Sequence, residues 1–318
     1  MKLLFELSGE HPELPAAEIG CVGKVLQTAP QVAIANCPIP EDTKRLSQTH
    51  VVMEYLGECP AERGAFASLL RDLSLVPEEP FSCRIKRIHP ADLPASKMDL
   101  ERMMGHYIDG TVSLKNPGIE YRAIFSDGHC YLGRVLHHID RGSYAYRNPM
   151  RRPFFHPGVM MPLMARAMVN LTGVQPGGIF YDPFCGTGGI MLEAACIGAT
   201  VAGSDIDPAM IGGARVNLPH SVCFLADTAN LPIADRSVDA VATDLPYGQS
   251  TAIKSGSLEQ LYTQSLSEIQ RILKRESRAV IVTHQDISGL AGEYFEIIHS
   301  FSQRVHKSLT RQIVVLAQ

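Results

Sequence analysis

Four aspartates, Asp182, Asp205, Asp227 and Asp244, recur at about one β-α repeat apart, each closing a run rich in apolar or β-branched residues. In open α/β sheets ligands bind beyond the carboxyl ends of the strands, where strand order reverses. Carboxylates that end successive strands therefore share one rim. A lone aspartate at such a place is often only a helix N-cap; four in succession point to a ligand.

The first acid opens Asp182-Pro183-Phe184-Cys185-Gly186-Thr187-Gly188-Gly189. A glycine turn running into a helix presents backbone N–H groups and the positive end of the helix dipole to an anion. A phosphate fits, and so does the carboxylate of S-adenosylmethionine. The run does not match the GxGxxG pattern of dinucleotide sites. Asp205 can accept hydrogen bonds from ribose hydroxyls in either case. Asp227 lies where an adenine amine could be bound, with Ile206 and Thr228 as flanking contacts.

Asp244-Leu245-Pro246-Tyr247-Gly248 separates the alternatives. An exocyclic amine on a base is a poor nucleophile because its lone pair is delocalised into the ring. Two acceptors, the Asp244 carboxylate and the Leu245 carbonyl, can bind both N–H groups and localise that pair. Asp244 also offsets the charge that develops on nitrogen and can take a proton, a contribution of roughly 10²–10⁴-fold. Pro246 stiffens the turn and brings no competing N–H. Tyr247 offers a ring on which a base stacks, and Gly248 eases backbone approach. The catalytic candidates are Asp244, Leu245, Pro246 and Tyr247. The cofactor candidates are Asp182, Phe184, Cys185, Gly186, Thr187, Gly188, Gly189, Asp205, Ile206, Asp227, Thr228 and Asp244.

The elements that must position these residues alternate from residue 158 onward. A helix is expected over about 158–171, strands ending near Asp182, Asp205, Asp227, Asp244 and Thr283, helices near 188–198, 207–217 and 258–274, and a closing strand pair at Phe295–Phe301 and Gln312–Leu316. That order predicts a mostly parallel sheet covered on both faces, with the first and fourth strands adjacent at the switch point. Ahead of it, residues 1–75 read as one α+β unit: strands at Leu3–Leu7, Val32–Ala35 and Val51–Leu56, helices at Glu13–Leu26 and Ala61–Leu73. Residues 76–140 read as a second unit with a basic strand at Phe81–Ile88, a helix at Lys97–Ile108 and a hairpin turning at Asp127-Gly128. The Pro- and Arg-rich stretch 141–157 reads as a linker to the domain at 158–318.

Charge is uneven. The chain has 318 residues and a net charge of −4, yet Arg84 to Arg152 holds twelve Lys/Arg against seven Asp/Glu, with His89 among its histidines. A basic band on an acidic body suggests a docked polyanion. Its candidate phosphate contacts are Arg84, Lys86, Arg87, Lys115, Arg122 and Arg134. None of the eight cysteines lies at CxxC spacing, so no metal is expected, and scattered thiols suit a reduced cytoplasmic location. No stretch has transmembrane length, and Met1–Leu7 is too short for a signal peptide.

Asp182–Gly189 and Asp244–Tyr247 resemble motifs I and IV of the amino-methyltransferases, whose fourth motif is usually (Asp/Asn)-Pro-Pro-(Tyr/Phe). Leu245 replaces the first proline, as in the tRNA guanine-N2 branch, where the acceptor is a backbone carbonyl. Arg147–Gly158 running into Met164–Asn170 resembles the element before motif I in that branch, and His156 within it is placed on the cofactor side. Leu114-Lys115-Asn116-Pro117 with the hairpin through Gly133-Arg134 resembles the end of a THUMP domain, and Leu7–Pro15 the ferredoxin-like opening of the same proteins. The resemblance to THUMP-domain RNA methyltransferases spans nearly the whole chain. It implies a Rossmann-like α/β core with a seven-stranded sheet, preceded by a ferredoxin-like and THUMP RNA-binding region. It also implies S-adenosylmethionine as cofactor, tRNA as partner, the N2 amine of guanosine 10 as target, and a monomer or weak associate. Three alternatives stay open on the residues: an amine methyltransferase for another RNA, for DNA or for a glutamine amide; a non-catalytic RNA-binding subunit; and an NAD(P) oxidoreductase, which leaves Asp244–Tyr247 unexplained.

Overall fold

The computed structural model describes residues 1–88, 95–247, 257–306 and 309–318. Gly248 and His89 lie outside the described residues. The chain divides into two units, Met1–Asp140 and Arg141–Gln318.

The first unit holds β1 (Lys2–Leu7), α1 (Leu14–Glu18), β2 (Lys24–Ala29), β3 (Val32–Asn36), β4 (Thr49–Pro60), α2 (Arg63–Leu73), β5 (Phe81–Arg87), α3 (Lys97–Tyr107), β6 (Ile119–Ser126) and β7 (His129–His138). They form one seven-stranded sheet in the order β2-β3-β1-β4-β7-β6-β5. Alternation along β1 explains its central place: Leu3 and Phe5 pack on one face with Ile19 and Val52, Leu4 on the other with Ile34 and Tyr131. The β6–β7 turn has positive φ at Asp127 and Gly128, the signature of a type I′ hairpin.

Two expectations differ from this unit. The helix expected over Glu13–Leu26 ends at Glu18 and passes through a 3₁₀ turn, Ile19–Cys21, into β2. Gly23 explains the break: a Cβ there would lie 2.5 Å from the Asn36 carbonyl oxygen, so the backbones of β2 and β3 meet closely. The boundary expected after residue 75 falls inside a single sheet, because β4 pairs with β7 from Val51↔His138 to Pro60↔His129.

The second unit holds α4 (Pro162–Leu171), β8 (Ile179–Asp182), α5 (Gly189–Cys196), β9 (Thr200–Asp205), α6 (Pro208–Asn217), β10 (Val222–Leu225), β11 (Val238–Asp244), α7 (Leu258–Ile272), β12 (Leu273–Thr283), α8 (Ser288–Ala291), β13 (Glu296–His306) and β14 (Leu309–Ala317). The sheet order is β10-β9-β8-β11-β12-β14-β13. Strands β8 to β12 run parallel, while β14 runs antiparallel to both its neighbours. This is the Rossmann-like sheet that the alternation predicts. Small and β-branched residues in β11, Val238 and Ala240 to Thr243, are buried, as a central parallel strand requires. Strand order reverses between β8 and β11, so their carboxyl ends adjoin. The segment expected as a linker, 141–157, instead packs into this unit as two 3₁₀ turns, Arg141–Arg147 and Pro149–Arg151. Two of its arginines, Arg147 and Arg152, are buried, and Arg147 pairs with fully buried Glu193 at 2.6 Å.

Candidate active site

The turn between β8 and α5 is shaped by two glycines with left-handed backbones, Gly186 (φ +50°) and Gly188 (φ +81°). A Cβ on Gly188 would lie 2.5 Å from Leu218 Cδ1, so no other residue fits without a shift. The turn is tied to β9. The Cys185 N–H donates to the Ser204 carbonyl at 2.9 Å, and the Gly186 N–H to Asp205 Oδ2 at 2.9 Å. Gly203 makes this approach possible, since a Cβ there would meet the Asp182 carbonyl oxygen and Cys185 Cβ at 2.9 Å.

Hydrogen bonds lace the strand ends together. Thr243 Oγ1 donates to Asp182 Oδ1 at 2.7 Å, joining β11 to β8. The Phe184 N–H donates to the same oxygen at 3.1 Å. The Ala226 N–H donates to the Asp205 carbonyl at 3.1 Å, and Thr228 Oγ1 reaches the Pro183 carbonyl at 3.4 Å. Asp205 Oδ1 accepts from the Asp207 N–H at 3.0 Å, and exposed Asp227 accepts from the Ala229 N–H at 3.0 Å. Ile206 is 39% exposed just past β9, placed to cover a planar ligand.

Electrostatics follow from this crowding. Burial pushes the Asp182 carboxyl up to about 7, and the carboxylates of Asp205 and Asp244 add to the rise. Burial likewise raises Asp205 and Asp244; at Asp244 the Arg311 guanidinium and the Tyr247 hydroxyl pull the other way. Three clustered carboxyls welcome a ligand that brings positive charge. The Cys185 thiol is raised by burial and is no nucleophile.

A complementary cation waits at the start of α5. Arg152 is 9% exposed. Its Nε donates to the Arg147 carbonyl at 3.0 Å, but both Nη atoms are buried with no hydrogen-bond partner. Nη1 lies 3.0 Å from where a Gly189 Cβ would stand. Glu193, the nearby carboxylate, is engaged by Arg147 at 2.6 Å and Arg166 at 2.9 Å. The residues present thus suit a molecule with a carboxylate at one end and a cationic centre near Asp182, Asp205 and Asp244. S-adenosylmethionine has both.

The turn after β11 is equally constrained. The Leu245 N–H donates to the Val282 carbonyl at 2.8 Å, and the Leu245 side chain is buried in the core. A proline at this position would lack the N–H that makes this bond. Tyr262 Oη donates to the Pro246 carbonyl at 2.9 Å. Tyr247 Oη donates to Asp244 Oδ1 at 2.7 Å, and Arg311 Nε donates to Tyr247 Oη at 3.3 Å. Arg311 Nη2 lies 3.7 Å from Asp244 Oδ2. The His284 ring sits 5.1 Å from that of Tyr247.

Thr243, Tyr262, His284 and Arg311 carry no motif, and Arg152 lies in the run that resembles the element before motif I without being singled out there. His284 follows Thr283 at the end of β12, so the strand-end logic that selects the aspartates reaches it. Arg311 comes to the rim only because β14 returns antiparallel, and its one signal is a charge at the entrance of the apolar run Ile313–Leu316. His156 is exposed, and its Nδ1 donates to the Pro157 carbonyl at 2.8 Å.

In the first unit, the candidate RNA contacts separate into two groups. Arg122 pairs with Glu6 and with Glu120 at 2.8 Å, Lys86 with Glu6 at 3.5 Å, and Arg134 with Glu54 at 2.7 Å. Arg87 donates to the Ala95 carbonyl. Among the described residues Arg84 donates to the Cys83 carbonyl at 3.3 Å, and neither Arg84 nor exposed Lys115 makes an ion pair. A groove of about 870 Å³ between α2 and α3 adds Arg63, Arg102 and His106 to the basic surface. Among the described residues no cluster of three or more His, Cys, Asp or Glu could hold a metal, and no helix is long and apolar enough to cross a membrane.

Comparison with known proteins adds to this geometry. Residues 149–312 match a family model described as an RMKL-like methyltransferase domain. A protein of Methanothermobacter thermautotrophicus named tRNA (guanine(10)-N2)-dimethyltransferase is 34% identical over 99% of each chain. One of the same name from Methanocaldococcus jannaschii is 28% identical over 98% of each. The crystal structure of TrmN from Thermus thermophilus covers 100% of both chains at a TM-score of 0.54 and 21% identity, a likeness of fold.

Proposed function

The chain belongs to the tRNA (guanine(10)-N2)-dimethyltransferase family, and from that premise we propose that it methylates the N2 amine of guanosine 10 in tRNA. The product is N2-methyl- or N2,N2-dimethylguanosine. The observation that carries the reading is the 2.7 Å hydrogen bond from Thr243 to Asp182. It fixes the glycine turn beside the Asp244 turn, which a methyl donor and an amine acceptor both require.

When bound, S-adenosylmethionine supplies a methyl group on a positively charged sulfur. Arg152 and the first N–H groups of α5 would hold its carboxylate, and Asp205 its ribose. Asp227, Thr228 and Ile206 would flank the adenine. The acids that welcome a sulfonium would repel a pyrophosphate, which disfavours a dinucleotide. Asp244 and the Leu245 carbonyl accept the two N–H bonds of the amine and free its lone pair. Tyr247 stacks on the base, which must leave its helix because a paired base hides its amine. Asp244 then holds the proton that nitrogen releases.

Arg84, Lys115 and the α2–α3 groove carry the phosphate contacts, which position rather than specify, while the paired cations Lys86, Arg122 and Arg134 contribute less. The first unit thereby acts as the ferredoxin-like and THUMP region. The reading places the enzyme in the cytoplasm with its tRNA. Mass spectrometry of nucleosides from tRNA incubated with enzyme and cofactor tests it. N2-methylated guanosine is expected, and is expected to vanish from a transcript carrying adenosine at position 10. Methylation that survives this change, or methyl groups only in another RNA, in DNA or in protein, would contradict it.

A further inference from the structure

Arg311 belongs to no motif of the active site and touches two of its members. Its side chain is 11% exposed, its Nε is 3.3 Å from Tyr247 Oη, and its Nη2 is 3.7 Å from Asp244 Oδ2. Tyr247 Oη in turn donates to Asp244 Oδ1 at 2.7 Å. The hydroxyl therefore occupies an acceptor site that the amine of a base needs. Among the described residues the groups facing Asp244 are few. Asp182 lies across the Thr243 bridge, Tyr247 follows on the same turn, His284 flanks Tyr247 from the end of β12, Tyr262 comes from α7, and Arg311 comes from β14. Asp182 opposes a charge on Asp244. Of the described residues in this group, Arg311 alone carries a permanent positive charge.

We propose that Arg311 is the positioning residue of the methyl-transfer site. It keeps Asp244 a carboxylate and holds the Tyr247 hydroxyl as a stand-in for the amine until the base arrives. The inference rests on Asp244 being the acceptor for that amine. A carboxyl crowded by burial and by Asp182 would otherwise protonate and turn from acceptor to donor, losing its hold on the N–H group. Burial does raise Asp244, and Arg311 is first among the influences that lower it. When the base enters, the Tyr247 hydroxyl yields Asp244 Oδ1 to the amine, its ring becomes free to stack, and Arg311 remains beside Oδ2.

The test is the pH dependence of kcat/KM for tRNA methylation by the wild type and by Arg311→Met, Arg311→Gln and Arg311→Lys. An opposite charge at this range lowers a carboxyl by about one unit or more. The acid limb of the Met and Gln variants should therefore move up by about one pH unit. Their activity loss should be about tenfold on that limb and shrink above it, while cofactor affinity by calorimetry stays within about twofold. The Lys variant should restore the wild-type limb. A limb that stays in place in a folded Met or Gln variant overturns the inference, as does a loss that is uniform across pH. Should Met disrupt folding, Gln keeps a hydrogen-bond donor without charge and decides alone. A wild type that methylates no tRNA would instead sink the functional reading itself, and the two failures are distinct.

Discussion

At the scale of the residue, the site is defined by acids that the fold has made reluctant to ionise. Asp182 is the extreme: fully buried, bonded to Thr243 and Phe184, and pushed up to about 7. An acid whose folded pKa exceeds its unfolded value favours the folded state while protonated. That contribution is present at low pH and is lost as pH rises through about 7. Asn at this position keeps an oxygen for both donors and has no charge to bury. Asp182→Asn should therefore gain thermal stability relative to the wild type between about pH 5 and pH 8. Thermal unfolding across that range measures the gap, and parallel curves for the two proteins would contradict the assignment. A cationic ligand beside Asp182 would lower its pKa and so tie its protonation to ligand binding.

At the scale of the element, each ligand end meets a terminus held by neighbours. The 3₁₀ turn Pro149–Arg151 delivers Arg152 to Gly189, the first residue of α5. Helix N-termini favour anions, and a buried guanidinium with two orphan nitrogens strengthens that preference. Arg152→Met should weaken S-adenosylhomocysteine binding by about tenfold, the worth of roughly 1.4 kcal/mol. It should leave methylthioadenosine, which lacks the carboxylate, unchanged by calorimetry. Equal losses for both ligands would reduce Arg152 to a structural residue. The elements of this unit were largely legible in its sequence, because β8, β9 and β11 each close on an aspartate and α7 buries a periodic apolar face. The roles of Arg152 and Arg311 were not, for a physical reason: Arg152 sits in a run that resembles the element before motif I, but its place at α5 comes from a connector that folds back, and Arg311 reaches the rim on a strand that returns antiparallel. The β2 strand escaped for another reason: it lies at an edge and is mostly exposed, so its alternation is faint.

At the scale of the whole molecule, charge divides between holding the fold and meeting RNA. Glu6 is buried and bound by Arg122 and Lys86. Removing Arg122 leaves buried Glu6 with only half-exposed Lys86 at 3.5 Å, at a cost below the roughly 3 kcal/mol of a fully orphaned buried charge. Arg122→Ala should lower the melting temperature. Lys115→Glu should leave it in place, yet weaken tRNA binding and flatten its dependence on salt. A stable Arg122→Ala protein, or a Lys115→Glu protein with unaltered tRNA affinity, would revise this division. The account as a whole stands on Asp244 as acceptor for the amine. Asp244→Ala, followed by calorimetry with S-adenosylmethionine and by single-turnover transfer to tRNA, is the most direct measurement. The predicted result is cofactor binding that persists, weakened far less than catalysis, and methyl transfer reduced by about 10³-fold. Near-normal transfer by the Asp244→Ala protein would contradict the account.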